Sequence, residues 1–473
     1  MGSSTLDLLV LTFNCAQSLV NVGAFANHLQ TALGQNATTL PDLVVFSLQE
    51  VAPLALSFVG GYFLNPYIAR YEEALNLAAL RFDDENKRTG GDDVSVTPTA
   101  DQPKKPYALV KAGNVGYTAL LVFARDPDRV KGVQEAEVGF GPADMGNKGA
   151  VGVRCLFHGS EGGDETELTF VATHLAAMEW NLARRNANWA AIMRGMAFEN
   201  PEEVVSRHRT SPTINSDNGD SERQSLLHEE HHEQHQRLQR QLHDISVFKP
   251  SSHLFVAGDL NYRISTTSPP AGAAFPSLDP SSDNHYMHFW QYDQLTREKK
   301  DGRTMHGLSE APVQFPPTYK YDIKPGTKDS DEDPKWSFAP HRYPSWTDRV
   351  LYLDTPRNSP PQQSMQIRSY DALPVLATSD HRPVFLRAAV PLIPPPQLEK
   401  LLHEGGDDVS DPRVRLPVEI DPEAWERRAA ARRREVMAGW GMMLWSTQQG
   451  ALVLGTIVLA AAGWYWFAPG SGS

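Results

Sequence analysis

The stretch "FVAGDLNYRI", Phe255 to Ile264, sets an apolar run against a polar ending. Leu254 to Ala257 reads as a buried strand. It stops at Gly258, and Asp259, Asn261 and Arg263 follow at alternate positions. Residues two apart on a strand share a face, so these three polar groups can converge at one strand mouth. A simple turn accounts for Asp259 and Asn261 by themselves. It does not account for the same pattern recurring along the chain.

The recurrence is plain. Asn14 ends "VLTFN", Gln49-Glu50 end "VVFSLQE" and His174 ends "TFVATH". Asp348 sits in "PSWTDRV", and Asp380-His381 in "ATSDHRPV". Each apolar run ends in a carboxylate, amide or imidazole. Further strand-like runs are "GYTALLVFAR", "KGAVGVRCLF" and "RPVFLRAAV", and helix-like patterning lies around Phe25 to Leu33. Many strands with helices between them predict a layered α/β or α+β fold. No internal repeat is visible.

The totals set outer bounds. The chain has 473 residues, enough for one large domain with appendages or for two domains. Its 41% hydrophobic and 21% charged content is ordinary for a globular protein. A formal net charge of -13 argues against a general polyanion binder, so no nucleic-acid partner is expected. Two cysteines, Cys15 and Cys155, are too few for a disulfide framework and read as reduced thiols. "MGSSTLDLLV" lacks a secretory n-region, and Leu6 stands where a myristoylation motif wants Ser or Thr.

The strand-end groups suggest hydrolysis at phosphorus. A hard divalent ion such as Mg²⁺ takes oxygen ligands and needs only one or two protein carboxylates. Glu50 with Asn14 beside it is the best metal-ligand pair. Asp259 suits deprotonation of the attacking water, with Asn261 positioning it. His174 and His381 can bind phosphoryl oxygens where charge develops, and Asp348 can fix and charge one imidazole.

"GDLNYRI", "DMGNKGAVGVR", "THLAA", "PSWTDRVL" and "SDHRPV" resemble the motifs of inositol polyphosphate 5-phosphatases, within the endonuclease/exonuclease/phosphatase superfamily. The resemblance covers about Leu6 to Val390. "GDLNYRI" and "WTDRVL" are specific to the 5-phosphatase branch, whereas "QE", "GD-N" and "SDH" are shared across the superfamily. It implies a four-layer α/β (α+β) sandwich, two face-to-face mixed sheets flanked by helices. It implies Mg²⁺ at Glu50 and Asn14, Asp259 and Asn261 at the water, Asp348 supporting His381, and His174 and Asp380 completing the phosphate site. Asn147 and Lys148 of "GNKGA" would contact the scissile phosphate or the adjacent ring. Tyr319, Lys320 and Arg342 match a family set that holds a 4-phosphate, and Arg263 and Arg349 are further candidates. Pro340 stands where the family pattern has a second Lys, which removes one cationic contact.

The C-terminal part points to a membrane. "GALVLGTIVLAAAGWYWFA", Gly450 to Ala468, carries no charge and approaches the roughly 20 residues a spanning helix needs. Trp464, Tyr465 and Trp466 lie near one end, and Arg427, Arg428, Arg432, Arg433 and Arg434 lie upstream. That order predicts a tail anchor with the arginines and the catalytic domain in the cytosol. The expected division is a catalytic domain at 1–395, with a disordered or partly helical insertion at 200–245. A linker at 396–420, a basic juxtamembrane helix at 421–445 and the anchor at 450–468 follow. As a flexible coil, the roughly fifty residues before the anchor span on the order of 40 Å, enough to face the membrane or turn from it. Within the insertion, "HEEHH" matches the zinc pattern H-E-x-x-H formally, but its polar neighbours read as a solvated charged helix.

With the anchor, the family resemblance is nearest to the small fungal type of the endoplasmic reticulum. The expected reaction is removal of the 5-phosphate of phosphatidylinositol 4,5-bisphosphate, with the phosphoinositide headgroup as partner and the protein a monomer. Phe58, Tyr62 and Phe63, in the aromatic segment "LSFVGGYFLNPY", are expected to contact the bilayer. The rival readings are a nuclease or sphingomyelinase of the same superfamily, and a tail-anchored scaffold with a dead phosphatase fold. Against the last, every predicted catalytic position holds a competent residue.

Overall fold

The computed structural model describes residues 5–89, 105–159, 164–209, 221–329, 333–404, 408–446 and 448–467. The strands in chain order are β1 (Thr5–Asn14), β2 (Leu43–Gln49), β3 (Ala108–Val115), β4 (Thr118–Ala124), β5 (Val130–Gly139) and β6 (Gly149–His158). They continue with β7 (Glu165–His174), β8 (Ser252–Asp259), β9 (Tyr321–Ile323), β10 (Trp336–Phe338), β11 (Asp348–Tyr352), β12 (Gln366–Ala372) and β13 (Val384–Pro391). The helices are α1 (Val22–Gly34), α2 (Leu54–Val59), α3 (Asn65–Thr89), α4 (Leu182–Gly195) and α5 (Pro201–Arg209). After these come α6 (Ser221–Ile245), α7 (Gln294–Lys300), α8 (Pro395–Glu404), α9 (Ala424–Ser446) and α10 (Gln448–Phe467).

One sheet runs β12-β13-β1-β2-β4-β3 and the other β11-β8-β7-β6-β5. Both are mixed: β1/β2 and β7/β8 are parallel, and their other pairings are antiparallel. Burial on both faces explains the unbroken apolar runs. Leu6, Leu8 and Val10 of β1 pack with Phe170, Phe255 and Val350 between the sheets. Leu9, Leu11 and Phe13 point the other way, into α1 and α3 through Phe25, Leu29 and Tyr71. On the second sheet, Val171, Val256 and Leu351 pack on Trp189 and Ile192 of α4. The four-layer sandwich expected from sequence is therefore present. Cys15 and Cys155 are buried free thiols.

The same parity carries the polar strand ends. Asn14 shares the inner face with Leu6, Leu8 and Val10, and Asp259 shares it with Phe255 and Ala257. Gly258 is required where it stands, because a Cβ there would lie 1.9 Å from the Thr173 carbonyl oxygen on the neighbouring strand.

The segments beyond the two sheets are held to the fold by specific contacts. The 200–245 insertion is helical as α5 and α6, with residues 210–220 outside the described set. Its anchoring is apolar: Val204 and Ile245 are buried against Ile420, with Leu238 and Leu242 packed alongside. The backbone of "HEEHH" is helical, but side chains 228–232 lie outside the described residues.

The linker is not a free coil. Residues 395–404 form α8, Leu398 and Leu402 are buried, and Leu416 and Val418 pack on the α4 core. The basic helix is docked rather than free. Arg432 donates to the carbonyls of Phe58 (2.7 Å) and Val59 (3.0 Å), closing the C-terminal end of α2. Trp425 Nε1 donates to Ala197 O at 2.9 Å. Gly439 permits the α2–α9 approach: a Cβ there would lie 2.9 Å from Ala55 O and from Phe58 Cβ.

Among the described residues no helix is long and apolar enough to cross a membrane, so the fold does not support the anchor expected at 450–468. That run folds as α10, and Ala468 and several of its side chains lie outside the described residues.

Candidate active site

The strand registers assemble the site. Gly149, His174, Asp259 and Asp348 form one row across β6, β7, β8 and β11, each paired with the next. Asn14 faces this row from the other sheet, and its Nδ2 donates to Asp259 Oδ2 at 3.0 Å. His174 Nε2 lies 3.2 Å from the same oxygen, and His381 Nε2 lies 4.0 Å from it. Asp259 Oδ1 accepts from the Asn261 backbone N–H at 3.1 Å. Asp259 is 1% exposed and His381 4% exposed. Residues more than three hundred positions apart thus share one buried mouth.

A second tier holds these groups. His381 Nδ1 is 2.9 Å from Asp348 Oδ2, which also accepts from Thr318 Oγ1 (2.7 Å) and Thr347 Oγ1 (2.8 Å). The Tyr319 ring lies on His381 with centroids 4.4 Å apart, and the Arg263 guanidinium lies 4.3 Å from the Tyr319 ring centroid. Arg263 Nη2 also donates to Asn261 Oδ1 at 2.5 Å, so it orients the amide. Lys148 Nζ lies 3.2 Å from His174 Nδ1 and 4.0 Å from Glu50 Oε1. Lys320 Nζ pairs with Asp380 Oδ2 at 2.5 Å, and Asp380 Oδ1 is 4.0 Å from His381 Nε2. Two of these residues have left-handed backbone, Glu50 (φ 49) and Asn261 (φ 58). Such conformations cost energy and concentrate at functional sites.

The protonation pattern follows from the contacts. Burial opposes charge on His381, yet the Asp348 carboxylate and its hydrogen bond prevail and raise its pKa to about 9. Burial, reinforced by Lys148, lowers His174, so this imidazole is neutral near pH 7. Burial would raise Asp259. The His174 hydrogen bond and the cationic His381 and Lys148 outweigh it and hold the carboxyl below its usual range. Burial pushes Lys148 down, against the pull of Asp259 and Glu50.

Oxygen donors suited to a hard cation are present. The carboxylates of Asp259 and Asp348 offer oxygens within 4.8 Å of each other and of a ring nitrogen of His381, which in its cationic form is not a ligand. Among the described residues, Asp348 Oδ1 and Asn147 Oδ1 are buried acceptors without a hydrogen-bond partner, and Arg263 Nη1 is an unpartnered buried donor. Orphaned buried groups of this kind, Asp348 Oδ1 and Arg263 Nη1 among them, are what a bound ion and its anionic ligand would satisfy. Glu50 is partly exposed, with Gln17 Nε2 on its Oε2 at 3.3 Å, and Asn14 Oδ1 accepts only from Ala16 N among described contacts. The donor set fits a divalent cation held by oxygen.

Two expected site residues are corrected. Arg349 does not reach the mouth. It follows Asp348 on β11 and faces the opposite side of the sheet, where it is fully buried. Its guanidinium pairs with Glu310 (2.5 and 2.6 Å) and Asp293 (3.2 Å) and stacks on Trp290. Arg349→Met, which strands two buried carboxylates, is expected to cost about 3–5 kcal/mol in denaturant unfolding. Phe58 is 3% exposed and packs inside, so it is not a lipid contact. Tyr62 is 81% exposed, and Phe63 packs edge-on against Trp440 of α9 at 5.6 Å.

Arg342 is near the mouth but engaged, 3.1 Å from Glu179 Oε1. Sequence reasoning missed Glu179, Thr318 and Thr347. Thr347 lay within the quoted "PSWTDRV", and a hydroxyl beside a buried carboxylate is a signal of support. An open groove of about 650 Å³ adjoins the mouth, lined by Lys320, Lys324, Thr378 and Asp380 among others.

A family model described as Endonuclease/Exonuclease/phosphatase family 2 matches residues 11–387, and the chain belongs to that family. Among curated relatives, the Inositol-1,4,5-trisphosphate 5-phosphatase 1 of Schizosaccharomyces pombe is 28% identical over 284 residues, 59% of this chain and 19% of that protein. The Polyphosphatidylinositol phosphatase INP53 of Saccharomyces cerevisiae is 27% identical over 350 residues, 73% of this chain and 23% of that protein. The matched part is thus about a fifth of each relative's length. Among solved structures, the inositol polyphosphate 5-phosphatase domain of SPsynaptojanin, in complex with inositol (1,4)-bisphosphate and calcium ion, superposes with a TM-score of 0.51. The two are 21% identical, with 91% of this chain and 93% of that chain covered, and this likeness supports the fold.

Proposed function

We propose that this chain is a Mg²⁺-dependent phosphoinositide 5-phosphatase that converts phosphatidylinositol 4,5-bisphosphate to phosphatidylinositol 4-phosphate. The observation that carries the proposal is the in-register row His174–Asp259–Asp348, faced by Asn14 from the opposite sheet. With His381 against Asp348 and Asp259, this row supports a reading of Asp259 as base flanked by two imidazoles. The 5-phosphatases among the relatives supply the substrate class.

Asp259, ionised and hydrogen-bonded, takes the proton of the attacking water, and Asn261 positions that water. Neutral His174 holds Asp259. Cationic His381, with Asp348 behind it, donates to the phosphoryl oxygens as negative charge develops. Asn147, Lys148 and the free Nη1 of Arg263 bind the same phosphate, and Asp380 orients Lys320. Glu50 and Asn14 would hold the metal, which when bound offsets charge on the phosphoryl and leaving oxygens.

Lys320, Tyr319 and Arg342 receive the 4-phosphate. Lys324, which lines the same groove as Lys320, supplies the cation that Pro340 does not. The apolar run 450–468 anchors the protein in the endoplasmic reticulum membrane with the catalytic domain in the cytosol, and the protein acts as a monomer. Tyr62 and Phe63 meet the bilayer.

Phosphate release from vesicles containing phosphatidylinositol 4,5-bisphosphate tests the reaction. Release is expected to stop in EDTA and to return when Mg²⁺ is added in excess. Release that persists in EDTA contradicts the metal assignment.

A further inference from the structure

We infer that Glu435, on α9, is a positioning residue for the loop that carries Asn147 and Lys148. The family model matches residues 11–387, and α9 lies beyond the matched residues. Its Glu435 is nonetheless fully buried. Oε1 accepts from the Gly146 backbone N–H at 2.7 Å. Arg428 holds the carboxylate with both terminal nitrogens, at 2.5 and 3.0 Å. Arg428 Nε also bonds Glu137 Oε2 at 2.7 Å. Glu137 lies on β5, the strand that leads into the loop. One ion-pair network therefore clamps both the stem and the tip of residues 139–148.

The chemistry makes this clamp consequential. A buried carboxylate bonded to two cationic nitrogens and one amide is strongly directional. Gly146 immediately precedes Asn147 and Lys148. Asn147 Oδ1 is unpartnered, and Lys148 Nζ sits against His174. A shift of about 1 Å at such a loop can cost on the order of 10²-fold in rate. Glu435 touches no predicted substrate atom, so its effect runs through the loop.

The kinetic test rests on the 5-phosphatase reading, so it is paired with a readout that does not. Glu435→Ala in the full chain is expected to lower kcat about ten- to hundredfold on phosphatidylinositol 4,5-bisphosphate, with KM within about threefold. Amide hydrogen exchange over residues 141–148 is expected to speed up in the same variant. Should Glu435→Ala fail to fold, Glu435→Asp keeps the charge for Arg428 but falls short of Gly146, and the same two changes are expected. Trp425→Phe is the control. It removes the α9 hydrogen bond to Ala197 and is expected to leave kcat and loop exchange unchanged. Unchanged kcat and exchange in the Glu435 variants overturn the inference, as does an equal loss in Trp425→Phe. If the wild type releases no phosphate, the 5-phosphatase reading fails and the exchange result alone decides the role of Glu435.

Discussion

Asp259→Ala is expected to lower phosphate release by about 10²- to 10⁴-fold, the range for removal of a positioned base. The loss should fall on kcat. Asp259 is buried and bonded to Asn14, His174 and Asn261 and does not line the groove proposed for the ring. Asp259→Asn separates shape from basicity: it keeps the acceptor for the Asn261 N–H but cannot take a proton, so it should be nearly as inactive as the alanine variant. Steady-state rates at saturating lipid check this. An asparagine variant with more than about a tenth of wild-type kcat contradicts the assignment of Asp259 as base.

The second large effect is expected at the Asp348–His381 pair. His381→Ala removes the proposed donor to the phosphoryl oxygens and should cost about 10²- to 10³-fold in kcat. The pair also fixes the alkaline limb of the pH profile. His381 titrates at about 9 in the fold, above its ordinary 6.5, so its cationic form persists at neutral pH and activity should fall as pH rises through about 9. The sign for stability is the same. The pairing contributes fully below the unfolded value near 6.5 and is lost as pH rises through the folded value. Asp348→Asn removes the charge that raises His381, so the alkaline limb should move toward lower pH. A limb that stays in place shows that another group sets it.

Most of the site was legible in the chain because strand alternation is a strict rule. His174 and Asp259 end apolar runs and Asp348 opens one, each with inner-face residues two and four positions away. The layered sandwich could be read for the same reason, from runs buried on both faces. The miss at Arg349 came from not applying that rule far enough: a residue adjacent to Asp348 on one strand must face the other way. Phe58 was misplaced because aromatic content in a Gly- and Pro-containing segment does not distinguish an exposed ring from a packed one.

The docking of α9 was not legible. Its arginines read as solvent-facing charge, and nothing local to the sequence pairs Arg428 with Glu137 or Arg432 with the α2 carbonyls. Those contacts join residues 291 and 374 positions apart and exist only once both sheets are assembled. Likewise, apolar content alone reads Leu398, Leu416 and Ile420 as parts of a Pro- and Asp-rich linker. The packing of Leu416 and Ile420 depends on α4 and α6 presenting a complementary surface.

The central claim is that side chains from distant strand ends meet at one metal-dependent phosphatase centre selective for the 5-position. Its most direct measurement is regiochemical product analysis after incubating phosphatidylinositol 4,5-bisphosphate vesicles with the full chain and Mg²⁺. The account predicts phosphatidylinositol 4-phosphate and inorganic phosphate, formed only with the divalent ion and abolished in Asp259→Ala. Phosphatidylinositol 5-phosphate as product, or recovery of the lipid unchanged, would contradict it.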